Sequence, residues 1–189
     1  MFSELELIAR ARRFDATALG ELYDTHSPAV YRYAMRLLDD APLAEDCVTE
    51  TFSRLLAALK VNKGPDRHLK AWLFRVAHNW CADQYRAGHT AVVSLDELDD
   101  AIGFEPAEAP EHGPVAAFDR ALETRQIRAA LLALTSDQRL AMTLRFYEDM
   151  PNDEIAAALG KPIGAIKALH FRAMAALRRH LTRSIEGTP

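Results

Sequence analysis

Apolar residues recur at steps of three and four along most of the chain, which is the spacing of one face of an α-helix. In the first half this pattern predicts a short helix around Leu5–Ala11. It also predicts a longer helix over Ala18–Leu37, in which Pro28 is a candidate point of interruption. A third helix opens at Pro42, and a fourth covers about Leu69–Arg86. The first half is therefore predicted to be helical.

The third and fourth predicted helices each combine an apolar stripe with a charged one. The third has its core stripe at Val48, Phe52, Leu55, Leu56 and Leu59, and its acidic residues Glu45, Asp46 and Glu50 lie in the N-terminal half, where the helix dipole favours them. The fourth has Leu69, Leu73, Val76 and Trp80 toward the core, with Trp72 beside them. Its separate polar, basic stripe consists of His68, Arg75, Asn79, Ala82 and Arg86. This basic stripe is the first indication of function.

Short helices follow one another closely near the end of the chain. The pattern predicts helices around Ile127–Leu134 and Leu140–Phe146, then a helix of barely two turns over Ile155–Leu159 that stops at Gly160. A longer helix begins near Pro162. This spacing is that of a helix-turn-helix, whose second helix can enter the major groove of DNA.

The last helix carries residues suited to DNA on the face away from its apolar stripe. These residues are Lys167, Ala168, Phe171 and Arg172, with Arg178 and Arg179 further along for phosphates. Arg172 can donate two hydrogen bonds to a guanine edge, whereas Phe171 and Ala168 offer apolar contacts such as that to a thymine methyl. The alternative is a helical hairpin with a solvated basic face.

Charge is distributed unevenly over the 189 residues, whose formal net charge is −4. Basic and acidic residues balance at 12 each over residues 1–87, and basic residues exceed acidic ones by 10 to 7 over residues 121–189. Residues 88–120 hold eight acidic residues and one arginine, together with several prolines and glycines. This composition predicts a flexible acidic linker between two small helical domains, and the fold class is all-α.

Composition also argues against several classes of protein. Charge interrupts every apolar stretch before the roughly 18 residues that a membrane helix needs, no secretory signal is expected, and we expect a cytoplasmic protein. Cys47 and Cys81 are too few for a disulfide framework. No phosphate loop, nucleophile elbow or zinc-spaced cluster occurs, so we expect no enzyme, no cofactor and no metal; Cys81 is expected to pack inward rather than share a metal with His78.

Three segments together resemble one family. They are residues 44–52 (AEDCVTETF), residues 71–79 (AWLFRVAHN) with Asp83 and Arg86, and residues 154–160 (EIAAALG). In this order they resemble a bacterial RNA polymerase sigma factor of the sigma-70 type, and two globular parts alone are typical of its extracytoplasmic-function (ECF) group. The resemblance runs from about Glu4 to Arg183.

The resemblance implies a role for each part of the chain. Residues 1–87 would be region 2, which binds core RNA polymerase and opens the promoter −10 element. Residues 121–183 would be region 4, which binds the −35 element, and residues 184–189 a tail. The linker would pass through the polymerase, where its charge suits a basic channel, although a plain solvated tether remains the alternative. The implied partners are core RNA polymerase, promoter DNA and an anti-sigma factor.

The resemblance also implies functional residues in the first part. Glu45, Asp46, Glu50 and Phe52 would lie on or beside the surface that docks on the polymerase; the alternative is a solvated acidic helix start. Asn62, Lys63, Arg67 and His68 belong to the loop that would capture a flipped base, and Arg75, Asn79 and Arg86 would add −10 contacts. Binding the single strand more tightly than the duplex offsets the few kcal/mol needed per unstacked base. We expect Trp72 and Trp80 in the core rather than as stacking platforms.

Two departures from the family pattern affect the second part. A Ser or Thr usually caps the first helix of the motif, whereas this chain has Met150-Pro151-Asn152, and Asn152 is the candidate cap. The recognition helix has few base-edge donors, and His170 is expected to be partly buried rather than a base reader. The alternative function, from another class, is a two-domain transcription regulator that binds operator DNA without polymerase.

Overall fold

The computed structural model describes residues 3–87 and 126–186. All regular secondary structure within these ranges is helical. The helices are α1 (Glu4–Ala11), α2 (Ala16–Leu38), α3 (Ala41–Lys60), α4 (Leu69–Arg86), α5 (126–132), α6 (Ser136–Phe146), α7 (Asn152–Leu159) and α8 (Ile163–Glu186). The all-α prediction is confirmed. The predicted linker, residues 88–120, lies outside the described residues.

Side-chain caps account for four of the helix starts. Ser3 and Glu6 form a capping box at α1, and Thr135 and Gln138 form another at α6. The carboxylates of Asp15 and Asp40 accept backbone N–H bonds at the starts of α2 and α3. These side chains satisfy donors that the first turn of a helix would otherwise leave unpaired.

Two predictions about helix boundaries were wrong. α2 continues through Pro28 without interruption. α7 begins at Asn152, and Pro151, in an extended conformation, occupies the N-cap position without a side-chain hydrogen bond. Asn152 is thus inside the helix, and its buried Oδ1 accepts no hydrogen bond among the described residues.

The first four helices share a core formed by the predicted apolar stripes. Leu22, Leu37, Leu55 and Leu73 are almost completely buried, and each contributes roughly 2 kcal/mol by leaving water. Trp72 and Trp80 are half-buried and pack against this core, as predicted. The stripes of α3 and α4 therefore position the polar faces of both helices toward the outside of the bundle.

The helix-turn-helix forms as the spacing predicts. α7 ends at Gly160, whose left-handed conformation (φ 62°) favours glycine, and Lys161 N–H donates to the Ala156 carbonyl at 3.0 Å. Ile155 and Ile166 are fully buried between α7 and α8. Arg139 on α6 is also buried, and its guanidinium donates to the carbonyls of Leu131, Leu132 and Leu134 at 2.8–3.1 Å.

The two halves of the chain pack against each other. α4 contacts both α6 and α7, and one buried cluster joins the core of the first four helices to Leu144, Ile155 and Ile166 of the second part. The sequence patterns predict two domains but not this packing. The packing of α4 against α6 and α7 determines which of the predicted binding residues are accessible to solvent.

Candidate nucleic-acid interface

The outward face of α8 presents the predicted recognition residues. Lys167, Ala168, Phe171 and Arg172 are all exposed, and 77% of Phe171 is accessible to solvent. Arg178 and Arg179, further along the helix, are exposed as well. Arg172 Nε donates to the Ala168 carbonyl at 3.2 Å, which aligns its guanidinium along the helix surface. All six predicted residues therefore lie on the surface.

The face of α8 also includes a residue that the sequence analysis missed. Met174 lies three residues after Phe171 and is 52% exposed. The spacing of three was a signal that could have identified it. His170, in contrast, lies toward α6: its Nε2 is 3.1 Å from the Ala141 carbonyl and its ring is 6.1 Å from that of Phe146. His170 thus anchors α8, as expected.

The loop between α3 and α4, residues 61–68, presents most of its predicted residues to solvent. Asn62, Lys63 and Arg67 are exposed, whereas Pro65 is buried. Asn62 and His68 adopt left-handed conformations, with φ of 53° and 54°. A Cβ on Gly64 would lie 2.9 Å from Leu59 Cδ2, so only glycine fits this close approach without displacing the leucine. The loop therefore has a defined backbone shape.

The basic stripe of α4 is only partly open. Asn79 and Arg86 are exposed, and Arg86 forms an ion pair with Asp83 at 2.9 Å. Arg75 is half-buried, and its Nη1 donates to the Ala158 carbonyl of α7 at 3.4 Å. His68 Nδ1 lies 3.8 Å from Glu154 Oε2, also on α7. The structure therefore places α7 over the N-terminal half of the predicted stripe.

Other polar contacts fasten the second part of the chain onto the first. Lys70 Nζ lies 2.6 Å from Glu148 Oε2, whose side chain is only 10% exposed. Arg128 on α5 reaches the end of α2, where it donates to the Leu37 and Leu38 carbonyls and pairs with Asp39 at 2.6 Å. These residues carried no periodic signal, and the sequence analysis did not identify them.

His78 lies at the centre of the same contact. Its Nδ1 is 2.6 Å from the Tyr33 hydroxyl in the first part, and its Nε2 is 2.6 Å from the Ser136 hydroxyl in the second. Burial, together with a smaller effect of the nearby Arg139 and against an opposing effect of Asp137, lowers the pKa of His78 from its ordinary 6.5 to about 4. His78 is therefore neutral at neutral pH and joins the two parts by hydrogen bonds.

The acidic start of α3 is accessible, but one predicted residue on α3 is not. Glu45 and Asp46 are exposed, and Glu50 pairs with Arg54 at 2.7 Å. Phe52 is 9% exposed, with its ring centroid 4.8 Å from that of Tyr23 on α2. Phe52 thus supports the surface from beneath and does not form it, because it belongs to the apolar stripe that faces the core.

A groove between α2 and α3 adds a concave region beside these acidic residues. It measures about 470 Å³, and Tyr23, Tyr31, Arg32, Glu45 and Val48 contribute to its lining. Tyr23 is 46% exposed. Exposed tyrosines are enriched in protein-binding surfaces.

His78 and Cys81 do not face a common position. Cys81 is buried with its Sγ 3.8 Å from Cys47 Sγ, and the hydrogen bond with the Cys47 thiol, together with burial, raises the pKa of the Cys81 thiol. Both nitrogens of His78 are engaged as described above. Over residues 3–87 and 126–186, no three His, Cys, Asp or Glu side chains lie close enough to hold a metal ion.

In these same ranges no helix is long and apolar enough to cross a membrane.

Two family models match the chain. The model for Sigma-70 region 2 matches residues 22–90, which contain most of α2 and all of α3 and α4. The model for Sigma-70, region 4 matches residues 124–177, which contain the helix-turn-helix.

Two relatives extend this similarity over nearly the whole chain. The chain is 33% identical over 178 residues to the ECF RNA polymerase sigma factor BldN of Streptomyces coelicolor, a match that covers 94% of this chain but 65% of BldN. It is 31% identical over 173 residues to the ECF RNA polymerase sigma factor SigL of Mycobacterium tuberculosis, covering 90% of this chain and 93% of SigL.

Two solved structures share the fold. The chain is similar to CnrH in the structure of CnrH in complex with the cytosolic domain of CnrY. The sequence identity is 26%, the TM-score is 0.68, and the match covers 95% of this chain and 97% of that chain. The sigma factor RpoE in complex with the anti-sigma factor NepR, from Bartonella quintana, is 27% identical with a TM-score of 0.53, covering 82% and 91%.

The fold and the two basic faces define a two-part, all-helical DNA-binding protein whose helix-turn-helix accompanies a second basic helix. With the family and relative matches, the chain belongs to the sigma-70 family of RNA polymerase sigma factors, in its ECF group.

Proposed function

We propose that this protein directs core RNA polymerase to specific promoters, binding the −35 element with α8 and opening the −10 element with α4 and loop 61–68. The observation that carries this proposal is the presence of two separate DNA-suited surfaces on one chain. One is the exposed face of α8, and the other is an ordered, exposed loop next to the basic stripe of α4. In this proposal the polymerase, and not this protein, catalyses phosphodiester bond formation. The complex acts in the bacterial cytoplasm.

Duplex recognition falls to α8. In this proposal the exposed Arg172 turns from the Ala168 carbonyl to donate to a guanine edge, and Phe171, which is 77% exposed, contacts a thymine methyl. Lys167, Arg178 and Arg179 supply positive charge for phosphates, which adds affinity without sequence preference.

Strand opening falls to the loop and α4. Unstacking a base costs a few kcal/mol, and a protein that uses no ATP offsets this by binding the single strand more tightly than the duplex. Asn62 and Lys63 on the loop offer hydrogen-bond donors to a flipped base. Arg67, Arg75 and Arg86 supply charge along the path of the strand.

Docking on the polymerase falls to the acidic start of α3. Glu45 and Asp46 are exposed at the beginning of that helix, and the groove containing Tyr23 lies beside them. Exposed carboxylates next to an aromatic residue suit a basic partner surface.

The packing of α7 on α4 limits the proposed −10 contacts. Arg75 and His68 face α7 in this structure, so single-stranded DNA reaches them only after α7 moves away. An anti-sigma factor would act by holding such a closed arrangement or by covering the exposed faces. The similarity to CnrH bound to CnrY and to RpoE bound to the anti-sigma factor NepR supports a partner of this kind.

Runoff transcription with purified core polymerase on a library of promoter fragments tests the proposal. Transcript starts that depend on this protein and share two upstream elements are the expected result. Arg172→Ala should weaken the −35 preference, and the double substitution Asn62→Ala, Lys63→Ala should weaken the −10 preference, with core binding retained in both. Tight binding of the isolated protein to duplex operator, without any protein-dependent starts, would instead establish the polymerase-independent regulator.

A further inference from the structure

We propose that Arg12 is a positioning residue for base selection at the −10 element, because it holds the backbone of loop 61–68 in its binding shape. Arg12 follows α1 and lies more than fifty residues before the loop residues that it contacts. Its Nη2 lies 2.6 Å from Asp66 Oδ1, 2.9 Å from the Gly64 carbonyl oxygen and 3.4 Å from the Pro65 carbonyl oxygen, so these three acceptors share its two hydrogens. The inference rests on the proposed function of the loop.

Arg12 contacts the loop through two backbone carbonyls, those of Gly64 and Pro65, and through the carboxylate of Asp66. The Arg12 side chain is 21% exposed and its two backbone contacts are partly buried, whereas the Asp66 side chain is 89% exposed. The side chains of Asn62, Lys63 and Arg67 remain exposed. Arg12 therefore contacts the middle of the loop, residues 64–66, and leaves the proposed binding side chains of Asn62, Lys63 and Arg67 exposed.

Helix α1, which precedes Arg12, also contacts the far end of the loop. Glu4 Oε1 accepts a hydrogen bond from the Leu69 N–H at 3.3 Å, where α4 begins. At the near end, Lys63 N–H donates to the Ala58 carbonyl at 2.9 Å and continues the turn out of α3. The loop is thus held at both ends and, through Arg12, at its middle.

A fixed loop has a specific advantage in base capture. The two left-handed residues, Asn62 and His68, are of types that tolerate this conformation better than most, although at a higher steric cost than glycine. Tertiary contacts such as those of Arg12 therefore help to maintain the shape. A loop held in its bound conformation before DNA arrives loses less entropy on binding and discriminates better between bases.

Base selection by the holoenzyme tests this role. A promoter identified by runoff is prepared in four versions that differ at the non-template position captured by the loop. Strand opening is followed by the fluorescence of 2-aminopurine placed beside that position. For Arg12→Gln we expect opening on the cognate promoter to fall by about tenfold, the scale of one lost charge-assisted hydrogen bond. We also expect the ratio of opening on the cognate promoter to opening on each of the other three versions to fall toward one.

Matched variants separate positioning from folding. Arg13→Gln removes the adjacent, exposed arginine and should stay within about twofold of the wild type. Arg12→Lys keeps the charge on a side chain that is one atom shorter, so it should reach fewer of the three acceptors and recover only part of the base preference. Asp66→Asn alters an 89% exposed side chain, so it can weaken the contact without unfolding the protein. Affinity for core polymerase, measured for each variant, reports on the rest of the bundle.

The outcomes distinguish the two levels of the proposal. Wild-type base preference in both Arg12→Gln and Asp66→Asn, with loss of preference in the Asn62→Ala, Lys63→Ala variant, would overturn the role of Arg12 alone. Equal loss of core binding and base preference in Arg12→Gln, with no effect of Asp66→Asn, would show that Arg12 serves stability only. An unaltered preference when the loop tip itself is substituted would overturn the proposed function of the loop.

Discussion

Acidification should destabilise the folded structure, in which the two parts of the chain pack together, because it protonates His78. The ring is 1% exposed and is bonded to Tyr33 in one part of the chain and Ser136 in the other. Both partners are hydroxyls that can donate or accept, so the neutral ring is satisfied in either tautomer. Protonation would place a charge in a buried site next to Arg139, which is why the pKa of His78 falls from 6.5 to about 4.

The sign and size of the effect follow from this pKa. A histidine whose pKa is lowered by folding contributes full stability above the unfolded value of 6.5, and that stability is lost as pH falls toward 4. One pKa unit corresponds to about 1.4 kcal/mol, so the complete loss below pH 4 is roughly 3 kcal/mol. At pH 5.5 the linkage relation gives a loss of about 1.4 kcal/mol in the free energy of unfolding.

Urea titrations followed by circular dichroism at several pH values measure this loss. With an m-value of about 2 kcal/mol/M, the wild-type midpoint should fall by roughly 0.7 M between pH 7.5 and 5.5 from His78 alone. His78→Gln keeps a polar side chain that does not titrate. It should be less stable at pH 7.5, and its curve should approach that of the wild type as pH falls.

A second histidine makes the variant comparison necessary. Burial also lowers the pKa of His26, so His26 contributes a loss of the same sign in both proteins. The difference between wild type and His78→Gln cancels that contribution. Parallel stability curves for the two proteins from pH 7.5 to 5 would refute the assignment of a lowered pKa to His78.

Three other substitutions test single contacts. Arg139→Met should lower the free energy of unfolding by about 2 kcal/mol in urea, because three carbonyls near the end of α5 lose their donor; an unchanged midpoint would contradict this. Lys70→Met should destabilise by about 1–2 kcal/mol and more than Glu148→Gln, since it leaves a nearly buried carboxylate unpaired; the reverse order in thermal melts would contradict it. Arg172→Ala should reduce −35 selectivity about tenfold in competition binding by the holoenzyme, and a uniform loss over all sequences would show a phosphate contact instead.

Periodicity predicted those features of the fold that depend on nearby residues. The turn at Gly160 and the inward position of Trp72 and Trp80 follow from local spacing, and both are confirmed. The same spacing puts Phe52 on the core stripe with Leu55 and Leu59, and its burial confirms this. The resemblance to the family led to a surface role that the stripe itself argues against.

The cap of α7 and the closed packing were harder to predict. Asn152 has the residue type of a cap, but Pro151 already takes the extended conformation that a cap position needs. The contacts that join the two parts, such as Lys70 with Glu148 and Arg128 with the end of α2, link residues about 80 to 90 positions apart. They involve isolated polar side chains, which leave no periodic trace in a sequence.

The polar contacts between α4 and the second part of the chain bear directly on the proposed function. Lys70, Arg75 and His68 are held by a carboxylate, a helix-end carbonyl and a second carboxylate of the second part. Each of these partners is an oxygen acceptor, and the phosphates of a DNA strand offer acceptors of the same kind with more charge. Under the proposed function, this packing and single-stranded DNA would therefore compete for the same hydrogen-bond donors. Polymerase that holds the second part of the chain away from α4 on the promoter would release these side chains for the −10 strand, whereas in the free chain they contact the second part.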